Sequence, residues 1–143
     1  MKRILGIDYG DKRIGIAISD PMQIIATALD YIPNNEQAVD NILELTKKYD
    51  VDMIVVGLPL NLKGERGVKS AQVNDFIQNL KQKTDLKILE WDERFTTTIA
   101  RKTIIEMGLK KKQRQDKSKI DSLAAAILLQ SYLDSNFKSK NGK

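Results

Sequence analysis

The chain has 143 residues, of which 41% are hydrophobic and 30% charged, with a formal net charge of +5. That length suits a single domain able to bury roughly 70% of its extended surface without covalent staples. Cysteine and histidine are both absent, which excludes thiolate nucleophiles, cysteine-based zinc sites and histidine general bases. Carboxylate, lysine, hydroxyl and hard-metal chemistry remain. No uncharged apolar run approaches the ~20 residues of a membrane span. Asp8 cuts the amino-terminal apolar run too early for a signal-peptide core, so a cytoplasmic protein is expected.

Residues 3–9 and 13–19 are apolar runs separated by Gly10-Asp11, the pattern of a β-hairpin. Residues 22–31 supply a third, antiparallel strand, which Pro33 is expected to stop. Residues 36–49 carry Ala38, Val39, Ile42, Leu43 and Leu45 at helical spacing, with Asn34 or Asn35 as the cap. The β-branched run 50–57 predicts a strand covered on both faces. A loop over 58–67 precedes a helix over 68–83, and 87–91 reads as a short buried strand. Helices follow over 97–107 and 118–134, with a loop over 108–117 between them. The order βββαβαβαα predicts an α/β fold with a mixed sheet, its first three strands antiparallel and the later ones joined by helical crossovers. One domain over residues 1–137 is expected, followed by a polar, flexible tail over 138–143.

Acidic residues stand where charge is expensive. Asp8 lies inside or at the end of the first strand, between Gly6 and Gly10; a surface carboxylate is the plainer alternative, although strands are depleted in Asp, and the glycines allow close approach of a backbone or a ligand. Asp121 shares a helical face with Ala124, Ala125 and Leu128, where an unpaired charge costs several kcal/mol; a helix-start Asp facing the positive end of the dipole is the plainer alternative. The cluster Glu90-Trp91-Asp92-Glu93-Arg94 ends a strand, and alternation leaves open whether Asp92 or Glu93 faces the site. Convergent carboxylates without His or Cys imply oxygen ligation of Mg²⁺ or Mn²⁺. Between residues 101 and 119 lie eight basic side chains against two acidic ones, a surplus that suits a phosphate backbone as well as a solvated surface. No aromatic residue interleaves this run, which favours backbone recognition over base stacking.

Ile7-Asp8-Tyr9-Gly10 with Arg13-Ile14-Gly15-Ile16-Ala17, Gly57-Leu58-Pro59-Leu60, Asp92-Glu93-Arg94 with Thr97, and Asp121-Ser122-Leu123-Ala124-Ala125 followed by Leu129-Gln130-Ser131-Tyr132-Leu133 closely resemble the YqgF (RuvX) family. The resemblance implies an RNase H-like α/β nuclease domain with helices on both faces of its sheet. It implies a carboxylate set of Asp8, Glu93 and Asp121 holding two Mg²⁺ (or Mn²⁺) ions, with Glu93 preferred over Asp92. Its substrates would be structured nucleic acid: the 5′ end of the 16S rRNA precursor, alone or in a ribosomal precursor particle, or alternatively a four-way DNA junction. Arg13, Arg94, Lys112 and Arg114 are the candidate phosphate contacts. Asp8-Tyr9-Gly10 and its hairpin also resemble the phosphate loop of actin-like and sugar-kinase ATPases, which bind nucleotide between two such domains where this chain supplies one. A non-catalytic nucleic-acid-binding or ribosome-assembly module is the third reading.

Overall fold

The computed structural model describes residues 2–59, 67–111 and 122–141. In chain order these form β1 (Arg3–Asp8), β2 (Arg13–Ser19), β3 (Ala26–Ala28), β4 (Ile32–Pro33), α1 (Ala38–Lys48), β5 (Val51–Leu58), α2 (Val68–Lys83), β6 (Lys87–Asp92), a 3₁₀ turn (Glu93–Phe95), α3 (Thr98–Lys111) and α4 (Leu123–Asn141). The strands make one sheet in the order β3-β2-β1-β5-β6, with β4 pairing β2 separately. The pairs β1–β2 and β2–β3 are antiparallel, whereas β1–β5 and β5–β6 are parallel. The mixed sheet expected from the sequence is therefore present, and β1 lies at its centre.

Alternation along the strands sorts the core. Leu5, Ile7, Ile54 and Val56 face α1 and α2, where Ile42, Phe76, Ile77 and Leu80 complete one buried cluster. Ile4, Ala17 and Val55 face the other way, onto Ile104 of α3 and Ala125, Leu129 and Leu133 of α4. Both parallel crossovers place their helix on the first face, as two connections of one hand advancing in one direction must. α4 lies close against β1 because Gly6 has no side chain: a Cβ there would stand 2.9 Å from that of Leu129.

Side chains of α4 also pair backbone groups of the strands beneath it. Ser122 Oγ accepts from the Ile16 amide at 3.0 Å, and Gln130 Oε1 accepts from the Ala26 amide at 2.9 Å. Gln130 Nε2 donates to the Ile24 carbonyl at 2.9 Å. These contacts satisfy backbone groups that strand pairing leaves over in β2 and at the β3 edge.

Several local expectations are corrected. The single strand expected over 22–31 is split into β3 and β4, and Pro33 is the last residue of β4, opposite Arg13, as Pro can be in a short edge strand. α1 is not capped by an Asn side chain: Gln37 is its N-cap, while Asn35 Oδ1 accepts from the Gln37 amide in the turn before it. β6 is an edge strand and only half buried, because one of its long sides has no neighbour. α3 runs on to Lys111, so residues 108–111, expected in a loop, are helical; the rest of that expected loop lies outside the described residues. α4 extends past Lys138 to Asn141. Among the described residues no helix is long and apolar enough to cross a membrane.

Candidate active site

The carboxyl ends of β1, β5 and β6 lie side by side, because the three strands are parallel to one another. In open α/β sheets this edge is where ligands bind. Asp8 is the last residue of β1, and Glu93 follows directly on the last residue of β6. Parity along the strands puts both on the α4 face: Asp8 shares its side with Ile4 and Gly6, and Glu93 shares its side with Leu89 and Trp91. Gly57 of β5 lies between them, and a Cβ there would stand 3.1 Å from Glu93 Oε2.

The cleft at this edge is lined by Asp8, Glu93, Thr96, Arg101 and, from α4, Ala124, Ile127 and Leu128. Its apolar wall raises the cost of charge. Burial pushes the Asp8 carboxyl above the ordinary aspartate range, against the pull of the Lys69 ammonium. Glu93 is also pushed up, first by burial and then by the negative charges of Asp8 and Asp92, with Lys69 opposing. Each carboxylate thus carries negative charge that its protein surroundings do not fully compensate.

Asp92 does different work from its neighbour. It caps the 3₁₀ turn by accepting from the Arg94 amide at 2.9 Å, and it grips the Arg94 guanidinium through Nε and an ion pair. Arg94 in turn holds Asp92 below the usual carboxylate range, chiefly through their side-chain hydrogen bonds. Trp91 locks the turn against α4, its ring edge-on to Phe95 at 5.7 Å and to Tyr132 at 5.5 Å. Thr97 then starts α3, its hydroxyl accepting from the Ala100 amide at 3.0 Å.

The structure therefore brings Asp8 and Glu93 together and turns Asp92 to Arg94. Arg94, expected to meet phosphate, is occupied by Asp92. Arg13 begins β2 and carries its guanidinium 5.2 Å from the centre of the Tyr31 ring. Asp121, Lys112 and Arg114 lie outside the described residues. Among the described residues no three carboxylates converge. Two cations were not singled out from the sequence: Arg101, which lines the cleft, and Lys69, whose charge bears on both carboxylates. Neither carries a local signal: Lys69 is one lysine among many, and Arg101 lies within a basic run. Their position depends on where α2 and α3 begin.

The donor set of the pair is oxygen only, anionic and incompletely compensated, which fits a hard divalent cation. Residues 2–135 match the RuvX family, described as Holliday junction resolvase. The chain belongs to this family. Its sequence is 47% identical over 136 residues to a protein of Sulfurihydrogenibium sp. (strain YO3AOP1) provisionally named a pre-16S rRNA nuclease, covering 94% of this chain and 91% of that one. A relative of the same provisional name in Bacteroides fragilis is 44% identical over 135 residues, covering 94% and 97%. Among solved structures the fold is similar to that of Thermus thermophilus RuvC in complex with a Holliday junction substrate, with a TM-score of 0.59 at 14% identity over 99% of this chain and 97% of that one. It is also similar to the fowlpox virus Holliday junction resolvase, with a TM-score of 0.52 at 16% identity over 93% and 99%. Membership of the RuvX family makes the chain a nuclease, an enzyme that hydrolyses phosphodiester bonds.

Proposed function

We propose that the Asp8–Glu93 cleft is the catalytic centre of a metal-dependent endonuclease acting on structured nucleic acid, its substrate the 5′ end of the 16S rRNA precursor. The observation that carries this reading is the meeting of two part-buried carboxylates, Asp8 and Glu93, in one cleft at the carboxyl edge of the parallel strands. Asp8 and Glu93 would hold Mg²⁺ or Mn²⁺. Asp121 would complete the set: its neighbours three and seven positions on, Ala124 and Leu128, line the same cleft. A pair of such ions eases ionisation of an attacking water and stabilises the leaving oxygen.

The chain's own residues prepare that chemistry. Asp8 and Glu93 must both be ionised to bind a cation, and burial makes each give up its proton less readily than a free carboxylate. Ile127 and Leu128 close one side of the cleft to bulk water, which strengthens every charge interaction inside it. The Asp92–Arg94 pair fixes the turn that delivers Glu93.

The relatives' names support the rRNA precursor as substrate, and the description of the family supports a second reading, cleavage of a four-way DNA junction. Purified protein incubated with Mg²⁺ or Mn²⁺ and either a pre-16S rRNA fragment or a four-way junction tests both. Preferential cleavage of the rRNA fragment is expected. Preferential cleavage of the junction favours the second reading, and tight binding without cleavage of either leaves a non-catalytic assembly module.

A further inference from the structure

Two exposed cations stand at the starts of helices packed on opposite faces of the sheet. Lys69 stands in the first turn of α2, which packs on the face of Leu5 and Val56. That helix start is tied to the end of β5, since Ser70 Oγ donates to the Pro59 carbonyl. Arg101 stands in the first turn of α3, on the face of Ile4 and Val55, and lines the cleft wall beside Thr96. Both side chains are exposed, and among the described residues neither is engaged in an ion pair. Arg94 and Arg13, by contrast, are held by Asp92 and laid over Tyr31.

A nucleic-acid strand carries about one negative charge per 3.4 Å, so a cleft floored by two carboxylates repels it unless cations flank the path. We propose that Lys69 and Arg101 hold substrate phosphates on the two sides of the Asp8–Glu93 pair, Lys69 at the phosphate being cleaved and Arg101 at a neighbouring one on the same strand. The division follows from their surroundings. Lys69 precedes Ser70, which is hydrogen-bonded to Pro59 two residues past Gly57. Gly57 lies between the two carboxylates, so Lys69 flanks the place where charge develops during cleavage. Arg101 is exposed and lines the cleft wall beside Thr96, where a contact contributes to binding alone. The strand would then run from the start of α2, across the end of β5, to the start of α3.

This assignment rests on cleavage at Asp8 and Glu93, and the test separates the two. Full-length wild type, Lys69→Gln, Arg101→Gln and Arg101→Lys are compared on a pre-16S rRNA fragment, with binding in Ca²⁺ over a range of salt and cleavage in Mg²⁺. Arg101→Gln is expected to weaken binding roughly tenfold and to lower the salt slope by about 0.7, while Arg101→Lys keeps the slope. Lys69→Gln is expected to lower kcat by about 100-fold with KM within about twofold. An unchanged slope in Arg101→Gln, or an unchanged kcat in Lys69→Gln, overturns the corresponding contact. If wild type binds without cutting, the cleavage reading falls by itself. The contacts then stand only if both glutamine variants lower the slope.

Discussion

Gly57 lies directly under Glu93: a Cβ on it would stand 3.1 Å from Oε2 of that carboxylate, and 2.9 Å from Cδ2 of Leu128. The backbone here is unstrained, so the need for glycine is purely one of space. Gly57→Ala must displace either Glu93 or α4. It is expected to cost about 1–3 kcal/mol of stability as overpacking, and about 100-fold in cleavage rate if the carboxylate moves by about 1 Å. Melting and cleavage assays read the two effects. Gly67→Ala, which meets nothing within 4 Å, serves as a control for space: it can lose some stability at the α2 N-cap but should leave the cleavage rate unchanged.

Asp8 and Glu93 both have carboxyl groups raised in the folded chain, from ordinary values of 3.8 and 4.5. The folded state then holds their protons more tightly than the unfolded state, so without metal their contribution to stability falls as pH rises above those values. Asp8→Asn removes one of the two charges with little change of shape. In EDTA its melting temperature should equal or exceed that of wild type at neutral pH, and should fall less steeply as pH rises from about 4. Cleavage should be largely lost, since a neutral amide is a poor ligand for Mg²⁺. A loss of about 3–5 kcal/mol in EDTA would instead mean that Asp8 is one half of a buried ion pair.

The same raised carboxyls tie metal binding to proton release. Calorimetric titration with Mg²⁺ or Mn²⁺ at mildly acidic pH should show a heat that depends on the ionisation enthalpy of the buffer, and the dependence should fade as pH rises. Activity should increase with pH over the same range, and excess chelator should abolish it. Full cleavage in excess EDTA would exclude a metal mechanism.

Asp92 contributes through the turn it caps. Asp92→Asn weakens the cap and the grip on Arg94 and should cost about 1 kcal/mol. The activity lost with it should be partly restored by higher Mg²⁺, because Glu93 remains present but less well held. Glu93→Gln should show no such rescue. Equal and unrescued losses in the two variants would place Asp92 among the ligands.

Lys112 and Arg114 remain candidates for the substrate backbone on sequence grounds. Replacing both with Gln should weaken binding to unrelated nucleic acids about equally. It should also lower the salt slope by roughly 0.7–0.9 for each phosphate that is no longer neutralised. An unchanged slope would make the segment a solvated surface.

Much of this arrangement is legible in the sequence, for reasons particular residues make clear. The hairpin and the run 50–57 declare themselves because an alternating or β-branched apolar run has few other uses. Asp8 stands out because it ends such a run. The choice between Asp92 and Glu93 is not legible, since it depends on which face of β6 meets α4, and both faces carry apolar residues, Ile88 on one and Leu89 on the other. The half-buried state of β6 is equally hidden, because its composition does not say that it closes the sheet. Lys69 and Arg101 escape notice because a cation becomes part of a site only once helix starts are placed beside it.

The tie between α4 and the strands also bears on how the cleft is closed. Ala124, Ile127 and Leu128 wall the cleft, and Gln130 holds the Ile24–Ala26 backbone more than 100 residues earlier in the chain. During synthesis, Asp8 and Glu93 are both made well before the helix that encloses them. Without that last helix in place, the two acids would stand in an open trough, lacking the wall that Ala124, Ile127 and Leu128 form.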